Sequence, residues 1–100
     1  MAKPPTDKIE VENVNHPGHV TRVDAAKYTV IRDLMLAALP QGEPGLTAEQ
    51  IKDAIRPNLP QDLFPGGKTL GWWQKSVQLD LEAKKLVARA ATKPLTFFRP

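Results

Sequence analysis

One hundred residues, 41% of them apolar, suffice for one hydrophobic core and leave no room for a second. With no cysteine in the chain, disulfides and cysteine-based zinc sites are excluded, so packing must hold the core together. Residues 68–100 carry seven Lys/Arg against two Asp/Glu, while residues 1–67 carry seven against nine, so the net charge of +3 comes wholly from the C-terminal third.

The opening Met1-Ala2-Lys3-Pro4-Pro5-Thr6-Asp7 is polar and proline-bearing and reads as a flexible tail, leaving 8–100 as one domain. It holds no apolar run that would serve as a signal peptide, and no later segment approaches a membrane span, so a soluble cytoplasmic protein without a membrane partner is expected. Ile9-Glu10-Val11-Glu12-Asn13-Val14 alternates apolar with polar, Asn15-His16-Pro17-Gly18 supplies turn chemistry, and Val20-Thr21-Arg22-Val23 resumes a β-branched run. That pattern predicts a β-hairpin. Asp24 is placed to cap a first helix whose apolar positions, Tyr28, Ile31, Leu34, Met35 and Ala38, recur at three- and four-residue spacing up to Leu39. Pro40 and Gly42-Glu43-Pro44-Gly45 end it.

Thr47-Ala48-Glu49-Gln50 has the form of a capping box, with Leu46 able to staple onto Ile51, so a second helix starts at Ala48. Pro57 keeps it short by disfavouring helical geometry at Arg56. Leu59, Leu63 and Phe64 then read as loop residues that plug the end of the core. After Pro65-Gly66-Gly67, Thr69 is the expected cap of a third, long helix. At about 100° per residue, Leu70, Trp73, Val77 and Leu81 share one arc, while Trp72, Leu79, Ala83 and Leu86 share another nearly opposite. Gln74, Lys75, Gln78, Glu82 and Lys85 form the strip expected to be wetted. Two apolar arcs need two partners: the first helices for one, and the N-terminal hairpin or a second protein chain for the other. Val87-Ala88-Arg89-Ala90, a turn at Thr92-Lys93-Pro94, and Leu95-Thr96-Phe97-Phe98-Arg99 complete a basic hairpin. The expected fold is α+β, a winged helix-turn-helix-like three-helix core with an N-terminal β-hairpin and a C-terminal β-hairpin wing.

Groups that could carry chemistry are few. Ser76, the one serine, falls inside the third helix, and His16 and His19 sit three residues apart beside a Pro-Gly turn without a matched set of further metal ligands. Gly67-Lys68-Thr69 precedes a helix, but Asp62 stands where a nucleotide-binding loop requires glycine, so a loop and helix cap are expected; the amides of Gly66 to Leu70 could still hold an isolated anion. No enzymatic activity, metal or cofactor is expected, and no small-molecule substrate is evident.

Several blocks, Asn13-Val14-Asn15-His16-Pro17-Gly18, Asp24-Ala25-Ala26-Lys27-Tyr28, Asp62-Leu63-Phe64-Pro65-Gly66-Gly67, Gly71-Trp72-Trp73 and Val77-Gln78-Leu79-Asp80-Leu81-Glu82-Ala83-Lys84 among them, resemble a small family of bacterial proteins of about this length, a domain of unknown function. The resemblance runs from Lys8 through Thr92-Lys93-Pro94-Leu95 and implies no activity or site. More loosely, the third helix and wing look like winged-helix domains, a likeness shared by DNA-binding and protein-interaction modules.

Two readings of function follow. One is a protein-association module or homodimer that works through the third helix, the wing and the N-terminal hairpin, with Trp73, Phe97 and Phe98 as interface candidates. The other is binding of double-stranded DNA, with Gln74, Lys75 and Gln78 reaching bases from the first half of the third helix and Lys85, Arg89, Lys93 and Arg99 meeting phosphates. Glu82 interrupts that strip with a charge phosphate repels.

Overall fold

Alternation along residues 8–24 resolves into two paired strands. The structure is a computed structural model that describes residues 8–100; the tail read at 1–7 lies outside the described residues. Strand β1 (Lys8–Glu12) pairs antiparallel with β2 (Val20–Asp24), with Ile9 opposite Val23 and Val11 opposite Thr21. Val11 and Val23 are buried. The connection is longer than the four-residue turn expected and is built of two successive turns: Asn13 accepts from the Asn15 amide with its side chain at 2.8 Å and from the His16 amide with its carbonyl at 2.9 Å, and the His16 carbonyl accepts from the His19 amide at 3.0 Å.

Asp24 ends the hairpin and caps the next element, accepting from the Lys27 amide at 3.0 Å. Helix α1 (Ala25–Ala38) buries Tyr28, Ile31 and Met35, the stripe that its periodicity requires. A short strand β3 (Leu46–Thr47), which the sequence does not announce, precedes α2 (Ala48–Ile55). The capping box forms: Thr47 accepts from the Gln50 amide at 3.2 Å, and the Gln50 side chain accepts from the Thr47 amide at 2.9 Å. Pro57 closes the helix into one 3-10 turn, Arg56–Asn58. Leu59 and Phe64 are buried, and the Phe64 ring meets Trp73 edge-on at 6.4 Å.

Helix α3 (Leu70–Ala83) is followed by β4 (Ala88–Ala90) and β5 (Thr96–Phe98). β5 lies between β3 and β4 in a three-stranded antiparallel sheet, with Leu46 opposite Phe97 and Ala88 opposite Phe98. The α+β class and the succession of hairpin, three helices and C-terminal strand pair are those the sequence predicts. One residue explains why β3 can approach β5: at Gly45, φ is +80°, and an added Cβ would lie 2.2 Å from the Phe97 carbonyl oxygen. Only glycine fits there.

The ends of α3 differ from expectation. Thr69 does not cap it; the residue takes the left-handed conformation, φ 63°, and its hydroxyl donates to the Lys68 carbonyl at 2.6 Å. At the other end Lys85, also at φ 63°, and Leu86 close a Schellman motif, the Leu86 amide reaching the Leu81 carbonyl at 2.9 Å and the Lys85 amide that of Glu82 at 3.1 Å. The helix therefore stops at Ala83, short of Lys85.

The polar strip of α3 is corrected as well. Gln74, Gln78 and Glu82 are buried, and of the five residues in the strip only Lys75 and Lys85 are exposed. A fourth polar residue, Asp80, has no exposed surface at all. Its carboxylate accepts from the Tyr28 hydroxyl of α1, from the Glu12 amide of β1 at 2.8 Å and from Lys84 one turn later. Burial, reinforced by the bond to Asp80, pushes the Tyr28 phenol far above its ordinary value of 10.

Removing the shared acceptor should cost more than removing one donor. Urea unfolding is expected to show Asp80→Ala destabilised by about 2–4 kcal/mol, since the buried Tyr28 hydroxyl and the Glu12 amide lose their acceptor together while Lys84 can turn to water, and Tyr28→Phe by about 1.5–3 kcal/mol. Because the phenol's pKa is raised on folding, its stabilisation is complete below pH 10 and is lost as pH climbs above that value. The alkaline decline should be shallower in Tyr28→Phe.

Candidate functional site

With Leu70, Trp73, Val77 and Leu81 turned into the core, the solvent side of α3 consists of Gly71, Trp72, Lys75 and, half-buried, Ser76 and Leu79. This face lies between two clefts. On one side Trp72, Ser76 and Leu79 meet Val11, Thr21 and Val23 of the hairpin in a cleft of about 220 Å³, which His16 and His19 also line. On the other, Gly71, Gln74, Lys75 and Gln78 face Ala48 of α2 and Pro94, Leu95 and Phe97 of the C-terminal strand pair and its turn across about 650 Å³.

The two tryptophans, about 100° apart on the helix, have opposite fates. Trp73 is buried, whereas Trp72 keeps 56% of its surface exposed, its ring edge-on to Trp73 at 5.0 Å. The hairpin covers the second apolar arc only in part: Leu79 and Ala83 are half-buried, and Leu86 is exposed with Trp72. Of the interface candidates, Trp73 and Phe97 are core residues, since both join the main buried cluster, and Phe98 is half-buried. Trp72 is the aromatic that periodicity assigns to a covered arc and the fold leaves open.

The residues proposed to read and hold DNA are dispersed by local pairing. Gln74 is 3% exposed; its amide nitrogen donates to the Ala48 carbonyl at 2.8 Å, joining α3 to the start of α2. Its Oε1 is buried and meets no donor among the described residues. Gln78 is buried on the floor of the larger cleft. Arg89 gives its fork to Glu82, at 2.8 and 2.7 Å, which clasps the end of α3 to β4 and holds the guanidinium proton more tightly than usual. Arg99 donates to the Leu39 carbonyl at 2.9 Å. Lys75, Lys85 and Lys93 remain exposed, without an ion-pair partner among the described residues.

The anion nest considered at Gly66 to Leu70 is largely spent on the chain itself. Gly66 donates to the Gln61 side chain at 3.0 Å, Gly67 to the Phe64 carbonyl at 2.9 Å and Lys68 to that of Pro65 at 3.2 Å. Among the described residues no three His, Asp or Glu side chains gather as metal ligands, and no helix is long and apolar enough to cross a membrane.

A model of a family of unknown function, DUF6958, matches residues 8–97. No curated protein and no solved structure matches the chain.

Two glycines beside these surfaces should respond oppositely to a methyl group. At Gly45 the new Cβ strikes the Phe97 backbone, whereas at Gly71, in the first turn of α3, it would meet only Lys52 Nζ at 4.0 Å. Thermal melts are expected to show Gly45→Ala destabilised by about 2–4 kcal/mol and Gly71→Ala stabilised by up to about 1 kcal/mol.

Proposed function

Because the chain belongs to DUF6958, a family whose description carries no activity, we propose a role from its surface alone: a non-enzymatic winged-helix module that associates with protein, in the first instance with a second copy of itself. The contact surface is the open face of α3 with the N-terminal hairpin and the wing beside it. The succession α1, β3, α2, α3, β4, β5, with β5 between β3 and β4, supports the winged-helix reading.

Trp72 is the observation that carries this role. A tryptophan 56% exposed on a helix, fixed in direction by Trp73 beneath it, has the size and rigidity of an interface anchor. Leu79, two turns on, lines the same wall of the hairpin-side cleft. In a two-fold dimer the same patch serves on both chains, so one anchor is used twice. The base-reading alternative has lost its two glutamines to burial, which is why association is the better reading.

DNA binding stays as a second reading because Lys75, Lys85 and Lys93 are exposed on α3, its C-terminal turn and the wing. It would then be a phosphate-only interaction. Neutralising three phosphates gives a log–log salt slope of about −2.7.

Sedimentation velocity over a concentration series is expected to show a reversible dimer, weakened at least about tenfold by Trp72→Ser with the melting temperature unchanged. A monomer at every concentration, or a dimer indifferent to that substitution, overturns self-association. Anisotropy of a labelled duplex settles the second reading: salt-sensitive binding that disappears when Lys75, Lys85 and Lys93 become Glu would move the function to nucleic acid.

A further inference from the structure

The larger cleft has features that association through Trp72 does not use. Its volume, about 650 Å³, falls within the range of sites that take small molecules. Carbon dominates the lining, from Ala48, Pro94, Leu95 and Phe97, and Lys52 and Lys75 are its two cationic residues, the Lys52 ammonium lying beside Gly71. Glu49, 80% exposed at its side chain, stands 3.7 Å from Lys52, so the lining carries two cationic residues against one carboxylate.

Gly71 is the most telling of the lining residues. Glycine is a poor helix residue, and nothing in the folded chain requires it: its backbone is helical, and the space beside it is open except for the tip of Lys52, 4.0 Å from where a Cβ would be. Gly45, by contrast, is forced by the Phe97 backbone. What the glycine does provide is bare helix backbone beneath an ammonium group, a surface on which a flat apolar body can lie close. Beside it, Gln74 Oε1 is a buried acceptor with no donor among the described residues.

We propose that this cleft binds a small amphipathic organic anion. Its apolar, ring-sized body rests on Gly71 between Leu95 and Phe97, and its carboxylate or sulfonate head pairs with Lys52 and Lys75. A cation would meet the two lysines, and a strongly polar ligand would lose its hydration against Pro94, Leu95 and Phe97, so neither matches the lining. The site does not depend on self-association, because its residues all belong to one chain.

The test titrates the full chain with 1-anilinonaphthalene-8-sulfonate, followed by fluorescence and by amide chemical shifts, beside the uncharged N-phenyl-1-naphthylamine. Saturable one-site binding of the anion is expected, with shifts concentrated at residues 47–52, 71–78 and 94–97. The uncharged compound should bind at least about tenfold more weakly. Gly71→Leu should remove saturable binding without lowering the melting temperature, and Lys52→Gln with Lys75→Gln should erase the preference for the anion. No saturation by about 1 mM, shifts confined to the hairpin-side cleft or scattered over the chain, equal binding of the two compounds, or affinity unchanged in Gly71→Leu each overturns the proposal. The dimer measurement is read separately, so a monomeric chain that binds the anion at this cleft would end the self-association reading and leave this one standing.

Discussion

A carboxylate removed from water is tolerated only when its charge and lone pairs are matched, and in this protein that requirement falls on Asp80. Three partners answer it from three elements: Tyr28 from α1, the Glu12 amide from β1 and Lys84 from the end of α3 itself. Moving any of the three away leaves a buried charge short of a bond, so the relative placement of hairpin, first helix and third helix is fixed by one side chain. Apolar contacts between Val11, Val23 and Tyr28 add attraction without direction. The hydrogen bonds to Asp80 supply the direction.

The same device recurs along α3, once with a neutral side chain and once with a second carboxylate. Gln74 reaches the start of α2, and Glu82 grips Arg89 on β4. Together with Asp80, these polar groups attach the helix to β1, α1, α2 and β4, and each is consumed in doing so. That is why the helix cannot also present them as a reading head for bases. What is left for outside contact is an aromatic, a bare backbone turn and a few lysines, a combination better suited to apolar and anionic partners than to a sequence-specific duplex contact.

The elements were readable where local chemistry decides them. Asp24 and the Thr47–Gln50 box act within three residues of themselves, and the stripe Tyr28, Ile31, Met35 needs only a helix to become a buried face. Strand β3 was not readable, because two residues carry no periodicity and their pairing partner, β5, lies about fifty positions on. The site suffered most from treating polarity as exposure. Gln74, Gln78 and Glu82 look like a wetted strip, yet the Gln74 partner is 26 residues away, a relation no helical wheel contains. Asp80 did leave a trace: it follows Trp73 by seven residues and Val77 by three, inside an otherwise apolar face. An acid in that position implies a buried partner, though the wheel does not name Tyr28.

The strand order has a consequence for how the sheet can be lost. β5 lies between β3 and β4, so neither outer strand has a neighbour in this sheet until Thr96–Phe98 is available. In chain order Leu46 and Ala88 both precede the strand that pairs with them, and the Gly45 approach is made only against the Phe97 backbone. Both pairings of the sheet therefore hang on one three-residue strand, and a change that displaces Thr96–Phe98 unmakes the whole sheet rather than one edge of it.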